Sequence, residues 1–194
     1  MLDSDNKLQI VAFSTNESRH NPNDIINIFL DQHSHSIIRK SKNAVAFSII
    51  LTNSTVETKV MICSIFNLTR EYSGINDVNC FLLFVDLENE YSKERFESIV
   101  DYAREFCEKS IKIFIIGMMS GNSEETKNIS KEYIIKTIDS EQFDFEYKEM
   151  NINKIKEVGD IIMEVLLYSS QHPINIIIDH NDKDDAQSNS CDIF

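Results

Sequence analysis

Glycine is the residue that this chain of 194 residues most clearly lacks. It has four glycines, at Gly74, Gly117, Gly121 and Gly159, and none lies before residue 74. Loops that cradle phosphate need glycine, because a Cβ atom would hold the backbone amides away from the phosphate oxygens. The sequence therefore excludes a phosphate-binding P-loop or a dinucleotide fingerprint after the first strand, where those motifs normally lie.

Basic residues are also scarce. The chain has 19 Lys and Arg against 32 Asp and Glu, which gives a formal net charge of −13. A field of that sign repels phosphate, so nucleic acid is excluded as the main partner. It also disfavours purely electrostatic binding to anionic membranes.

Long apolar runs and paired cysteine motifs are missing as well. No apolar run approaches the roughly 20 residues of a transmembrane helix, and the first residues show no secretory signal pattern. The four cysteines contain no Cys-x-x-Cys, so neither a zinc ribbon nor a redox pair is indicated. We expect a cytoplasmic protein with free cysteines.

Strand and helix patterns alternate along most of the chain, which is typical of an α/β domain with a mostly parallel sheet. A hairpin after the first helix supplies one antiparallel edge strand. We predict one domain over residues 1–170 and a flexible acidic tail over 171–194. The predicted strands are Lys7–Phe13, Ala44–Leu51, Glu57–Phe66, Cys80–Leu87, Ile111–Gly117 and Phe143–Met150; the predicted helices are Asn21–Gln32, Lys93–Lys109, Ser123–Ile138 and Asn153–Ser169; His33–Asn43 is predicted to be a loop.

Three segments resemble the small GTPases of the Ras and Rab families. Cys80–Ile99 (CFLLFVDLENEYSKERFESI) is similar to their segment with an F-L-L-V-F-D-L/I strand and a helix that opens S-F-E-x-I. Ile111–Gly117 resembles their next strand, and Phe143–Val158 resembles their F-x-E-T-S-A-K region. The resemblance covers roughly residues 7–170. It implies a Ras-like G-domain fold: a six-stranded, mostly parallel sheet with one antiparallel edge strand and about five helices.

The phosphate-binding motif of that family, G-x-x-x-x-G-K-[ST], falls on a loop without Gly or Lys. Its positions are taken by Ser14, Glu17, Ser18 and Arg19. Glu17 would place negative charge where the phosphates sit. Arg19 can replace the missing Lys, or it can be an ordinary solvated loop residue, which is the interpretation we favour.

The remaining nucleotide motifs are degenerate too. The family's metal-binding switch Thr has no counterpart with a motif around it, and the D-x-x-G motif falls on Ser64 and Asn67. The guanine-reading N-K-x-D falls on Met118, Met119 and Gly121, and S-A-K falls on Lys148, Glu149 and Met150. Together with Phe13, the methionines are expected to fill the former nucleotide volume with apolar side chains.

Loss of all five motifs removes the source of the electrostatic terms that drive phosphoryl transfer. The resemblance therefore implies a pseudo-GTPase with no catalytic residues, no metal and no cofactor, which acts through protein partners in membrane trafficking or signalling. One alternative is an atypical small GTPase that binds GTP or GDP with Mg²⁺ through a site rebuilt around Arg19. A further alternative is an unrelated doubly wound domain that binds another small ligand.

Two other groups of residues were weighed. His33 and His35 are spaced to share one face of a strand, and with His20, Asp24 or Asp31 they form a conceivable metal site; a solvated loop is the favoured interpretation. Asp86 ends a strand at the edge where doubly wound folds bind ligands, and the resemblance to small GTPases implies that its role is structural.

The last four residues, Cys191-Asp-Ile-Phe, fit a C-a-a-X prenylation motif. Ras-like proteins commonly end in this way, so the resemblance implies lipidation of Cys191 and attachment to the cytoplasmic face of an intracellular membrane. A single lipid gives only reversible attachment. The alternative is an unmodified C-terminus.

Overall fold

Seven strands and four helices alternate along the residues that the computed structural model describes, which are 7–16, 19, 21–52, 54–65, 68, 78–106, 110–121 and 127–172. The elements are, in order, β1 (Lys7–Ser14), α1 (Pro22–Leu30), β2 (His35–Lys40), β3 (Ala44–Ile50), β4 (Glu57–Ser64), β5 (Cys80–Asp86), α2 (Ser92–Phe106), β6 (Ile113–Met119), α3 (Lys131–Asp139), β7 (Phe145–Asn151) and α4 (Ile155–Gln171).

The strands form a single mixed sheet in the order β2-β3-β4-β1-β5-β6-β7. Strands β4, β1, β5, β6 and β7 run parallel, whereas β3 runs antiparallel to both of its neighbours. Every residue of β5 is buried, as expected for a parallel strand covered on both faces. The predicted α/β class is therefore confirmed.

The number of strands was predicted wrongly. The sheet has seven strands rather than six, because β2 lies within the predicted loop His33–Asn43. All six residues of β2 are exposed, so its sequence carries no alternation of apolar and polar residues to reveal a strand. The β3–β4 hairpin is confirmed, but its antiparallel strand is not at the edge, since β2 pairs with its outer side.

The helices differ from prediction in number and in one starting point. Four lie within the described residues, compared with about five predicted. Helix α1 starts as expected, with the Asn21 side chain accepting from the Asn23 amide. Helix α3, however, is capped by Ser130, and the predicted start at Ser123 is wrong. Ser123 itself lies outside the described residues.

A tertiary contact explains the late start of α3. The Asn128 amide donates to the Leu87 carbonyl at 2.7 Å, and the Asn128 side-chain amide donates to the Glu88 carbonyl at 2.6 Å. These bonds tie the chain before α3 to the end of β5. Because this pairing joins segments that are distant in the sequence, the local sequence before α3 does not reveal it.

The apolar core consists of two layers, one on each face of the sheet. Helices α1 and α4 cover one face, where Phe29 packs against Phe47 at a ring distance of 6.4 Å. Helices α2 and α3 cover the other face, where Phe13 packs against Phe81 at 5.7 Å. Both layers end at the carboxyl ends of the parallel strands, where polar side chains begin.

The cap of α3 gives a first testable prediction. Ser130→Ala removes the acceptor for the Tyr133 amide, so we expect the free energy of unfolding to fall by about 1 kcal/mol. Urea denaturation measures this change. The control is Ser98→Ala on the exposed face of α2, where the hydroxyl only donates to the Glu94 carbonyl of its own helix; we expect a change within about 0.5 kcal/mol. Equal losses in the two variants would contradict the assignment of the cap.

Candidate functional site

The carboxyl ends of β1, β5 and β6 lie side by side in the centre of the sheet. Ser14 is paired with Phe84, and Asp86 is paired with Met118. In open parallel sheets the loops that follow these ends form the usual ligand-binding edge. We call this edge the carboxyl edge, and its polar side chains make up the candidate site.

Glu88 is the centre of this site. Its Oε2 accepts from the Ser120 hydroxyl at 2.6 Å and from Nη2 of Arg19 at 2.8 Å, and its Oε1 accepts from the Gly121 amide at 2.8 Å. Nη2 of Arg19 also donates to Ser120 Oγ at 2.6 Å. One carboxylate thus joins the loops that follow three different strands.

The environment of Glu88 keeps its carboxyl group ionised. Its side chain is only 10% exposed, and this burial alone would raise its pKa. The hydrogen bonds from Ser120, Gly121 and Arg19 outweigh burial and lower the pKa from 4.5 to about 2. A fixed negative charge therefore lies at the carboxyl edge.

Asp86, the last residue of β5, is fully buried directly below Glu88. Its Oδ2 accepts from the Asn16 side-chain amide at 2.8 Å and lies 3.5 Å from Nη1 of Arg19, while its Oδ1 accepts from the Glu88 amide at 3.1 Å. The Asp86 amide donates to the Thr15 hydroxyl at 2.9 Å. These bonds hold the end of β1 against the end of β5.

Arg19 is held by both carboxylates, although 42% of its side chain is exposed. The interpretation as an ordinary solvated loop residue therefore missed its contacts. A guanidinium offers its donors in a planar fork that suits carboxylates and phosphates equally well. Here Asp86 and Glu88 take those donors, so the positive charge is neutralised within the site.

Of the other residues at the predicted phosphate and metal positions, Ser14 and Ser64 are described, and both make local polar contacts. The Ser14 hydroxyl is buried and accepts from the Asn16 amide at 3.2 Å. Ser64, at the end of β4, is buried and its hydroxyl lies 3.4 Å from Oδ1 of Asn23. Glu17, Ser18 and Asn67 lie outside the described residues, as does Cys191.

The positions that correspond to guanine recognition divide between the core and the surface. Met118 and Met150 are completely buried in the layer under α1 and α4, and Met119 packs partly buried on the opposite face. Lys148 is paired with Glu146 and Glu164. Glu149 accepts from Nζ of Lys127 at 2.7 Å and from the Tyr147 hydroxyl at 2.9 Å.

Of the apolar side chains expected to fill the carboxyl edge, those of Phe13, Met118 and Met150 are buried. Phe13, Met118 and Met150 belong to the two core layers. The loops after β6 and β7 are joined by amide side chains: Asn151 donates to the Gly121 carbonyl at 3.1 Å, and Asn153 donates to the Ser120 carbonyl at 2.8 Å. Polar contacts therefore connect these two loops.

Sequence reasoning missed Glu88, Ser120 and the asparagines that follow the strands. The available signal was a carboxylate two residues after a fully buried strand, at the same edge of the sheet as the ends of β1 and β6. The shallow open depression beside Glu88 is lined by Asn16, Arg19, Glu88, Asn89, Glu90, Tyr91 and Asn128.

The two histidines weighed as metal ligands make local contacts. His33 stacks on Phe29 at 4.5 Å with its Nδ1 2.9 Å from the Phe29 carbonyl, and Nδ1 of His35 lies 2.9 Å from the His33 carbonyl. Within the described ranges, no group of three or more His, Cys, Asp or Glu is arranged to hold a metal ion.

Comparison with protein-family models and with curated proteins identifies no relative of this chain. No protein-family model matches the sequence, and a search of curated proteins found no significant match. Among the helices in the described part of the chain, none is long and apolar enough to cross a membrane. The functional argument therefore depends on the geometry of the carboxyl edge.

Glu88 gives a prediction with a defined pH dependence. Because its pKa is lowered from 4.5 to about 2 in the folded protein, its contribution to stability is complete above pH 4.5 and is lost as the pH falls towards 2. We expect Glu88→Gln to lower the free energy of unfolding at neutral pH by about 1–3 kcal/mol, after allowance for solvent screening. The difference from wild type should shrink across that acidic range, measured by urea unfolding at each pH.

The control is Glu90→Gln, which removes an exposed carboxylate two residues away. We expect that variant to differ from wild type by less than about 0.5 kcal/mol at every pH. A loss at Glu88→Gln that does not vary with pH would contradict the ionised hydrogen-bond acceptor described above.

Proposed function

We propose that this protein is a Ras- or Rab-like pseudo-GTPase that binds nucleotide weakly or not at all. It acts as a protein-interaction module in membrane trafficking or signalling, on the cytoplasmic face of an intracellular membrane. The observation that carries the proposal is the ion pair of Arg19 with Glu88 at the edge of the sheet where a nucleotide would bind.

The electrostatics of the carboxyl edge oppose phosphate. Asp86 and Glu88 place two carboxylates beside the loop that follows β1, and they accept from the cation and the backbone amide that could otherwise face an anion. For Arg19 to reach a phosphate, it would have to leave both carboxylates. Asp86 and Glu88 would then lose this cation in a mostly buried setting, which is costly.

The architecture supports the family resemblance. The chain begins with the central strand, continues through one helix into an antiparallel hairpin, and then alternates strands and helices across a parallel sheet. This is the pattern that the resemblance implies, with β2 as an addition at one edge. A retained fold without a phosphate cradle is the combination expected of a domain whose remaining role is to bind other proteins.

The proposal predicts no tight nucleotide binding. Calorimetric and thermal-shift titrations with GTP or GDP and Mg²⁺ should give no heat of binding and no rise in melting temperature. A true ligand at 100 times its dissociation constant would stabilise the protein by about 2.7 kcal/mol, which corresponds to a shift of several degrees. The variant Glu88→Gln removes one of the two carboxylates that pair with Arg19 and is the form in which residual phosphate affinity would be seen.

Two outcomes of these titrations are informative. Micromolar binding by the wild-type protein would overturn the proposal in favour of an atypical small GTPase with a site rebuilt around Arg19. Binding by Glu88→Gln alone would mean that the carboxylate at position 88 is what excludes nucleotide, as proposed.

The lipidation proposal gives a separate prediction. If Cys191 is prenylated in eukaryotic cells, the wild-type protein should fractionate with membranes, and Cys191→Ser should move to the soluble fraction. Each buried methylene of a lipid contributes about 0.8 kcal/mol, whereas the net charge of −13 opposes electrostatic adhesion. The control is Ser188→Ala, a change in the same tail without a thiol. Equal fractionation of wild type and Cys191→Ser would remove the membrane part of the proposal.

A further inference from the structure

β2 forms one edge of the sheet, and among the strands that the structure describes it pairs with β3 alone. In an antiparallel strand, part of the backbone N–H and C=O groups point away from the partner. At an edge, those groups are available to pair with another extended chain. All six residues of β2 are exposed, so no other described element covers this strand.

The side chains of β2 combine apolar surface with positive charge. Ile37 and Ile38 are each 48% exposed in the middle of the strand. Arg39 and Lys40 follow directly, and Lys42 lies just beyond the end of the strand. The sequence over residues 32–56 has these three basic residues and no Asp or Glu, in a chain whose net charge is −13.

The positive charge of this edge is not neutralised within the described structure. Lys40 donates to the side-chain oxygen of Asn27 at 3.0 Å, which anchors β2 to α1. Arg39 and Lys42 form no ion pair with any described carboxylate. Other cations of the domain do so, among them Arg19, Arg104, Lys112, Lys127, Lys148 and Lys154.

The charge pattern discriminates between possible occupants of the edge. A second copy of this chain would bring a second cationic strand against the first and would add the repulsion of two strongly acidic molecules. An acidic chain without a cationic strand avoids the repulsion between the two strands.

We propose that β2 is the docking edge for an extended, acidic segment of a partner protein, which pairs with β2 as an additional strand of the sheet. Backbone hydrogen bonds supply the pairing, apolar side chains of the segment contact Ile37 and Ile38, and its carboxylates pair with Arg39 and Lys42. This inference rests on the proposed function as an interaction module and specifies the chemistry of the partner.

The test uses the full chain and a fluorescent peptide of alternating Glu and Val, as long as β2. We expect saturable binding in a fluorescence anisotropy titration. The same sequence with Lys in place of Glu should not bind. N-methylation of the Glu/Val peptide at alternate residues keeps its charges but removes backbone N–H groups that would donate to β2, so this peptide should not bind.

Charge-reversal variants locate the site. The double variant Arg39→Glu with Lys42→Glu should bind the peptide about tenfold more weakly, since two attractive contacts become repulsive. The matched control is Lys136→Glu with Lys156→Glu, which makes the same change of net charge on exposed positions of α3 and α4 and should stay within about twofold of wild type. Ile37→Thr with Ile38→Thr, which preserves β propensity, should also weaken binding. Urea unfolding checks that each variant remains folded.

Several results would overturn the proposal. The proposal fails if the Glu/Val peptide does not bind, if the N-methylated peptide binds as well, or if both charge-reversal double variants lose the same peptide affinity. It also fails if light scattering shows that the free protein self-associates through β2, or if the protein binds anionic vesicles in place of the peptide. The nucleotide titrations are independent of these measurements. Failure of the peptide to bind alongside absent nucleotide binding would reject the β2 site and leave the loss of GTP binding intact.

Discussion

The hydrogen-bonded carboxylate of Glu88 is the contact on which the carboxyl edge depends. The carboxylate accepts from donors in the loops after β1 and β6. The backbone carbonyl of Glu88 accepts from the Asn128 side chain and so positions the segment that leads into α3. Asp86 below it ties β1 to β5. An edge that commonly serves as an open ligand cleft is, in this chain, held together by internal polar contacts.

This arrangement exchanges one kind of electrostatics for another. A phosphate site uses fixed amides and cations to stabilise a mobile anion, and it leaves a charged cavity when the anion departs. Here the anion is the side chain of Glu88, which is part of the protein and lies beside Arg19. The charge of Arg19 is therefore balanced by a side chain of the protein itself.

The sequence predicts the strands that are buried on both faces and the helix whose cap is formed by neighbouring residues. β5 and β6 are continuous apolar runs because both of their faces are covered, and α1 carries its cap at Asn21. The prediction failed for β2 and for the start of α3. β2 has no buried face to impose a pattern, and the start of α3 is set by bonds from Asn128 to residues about forty positions away.

The candidate site shows the same division. The absence of Gly and Lys after β1 is a local fact, so the absence of a glycine-rich phosphate loop could be inferred from the sequence alone. The role of Glu88 could not, because its partners Arg19, Ser120 and Gly121 lie 69, 32 and 33 residues away along the chain. Only the parallel pairing of β1, β5 and β6 brings these residues to one edge.

The central position of β1 has a consequence for how the chain is made. β1 leaves the ribosome before the other six strands, yet Lys7 pairs with Lys59 of β4 and Ile10 pairs with Cys80 of β5. The antiparallel β2-β3-β4 segment can assemble from neighbouring residues, whereas β1 must wait for partners far along the chain. β1 therefore has a partner strand on both sides only after β5 has emerged, and until then the nascent chain carries an apolar strand that is not yet enclosed in a sheet.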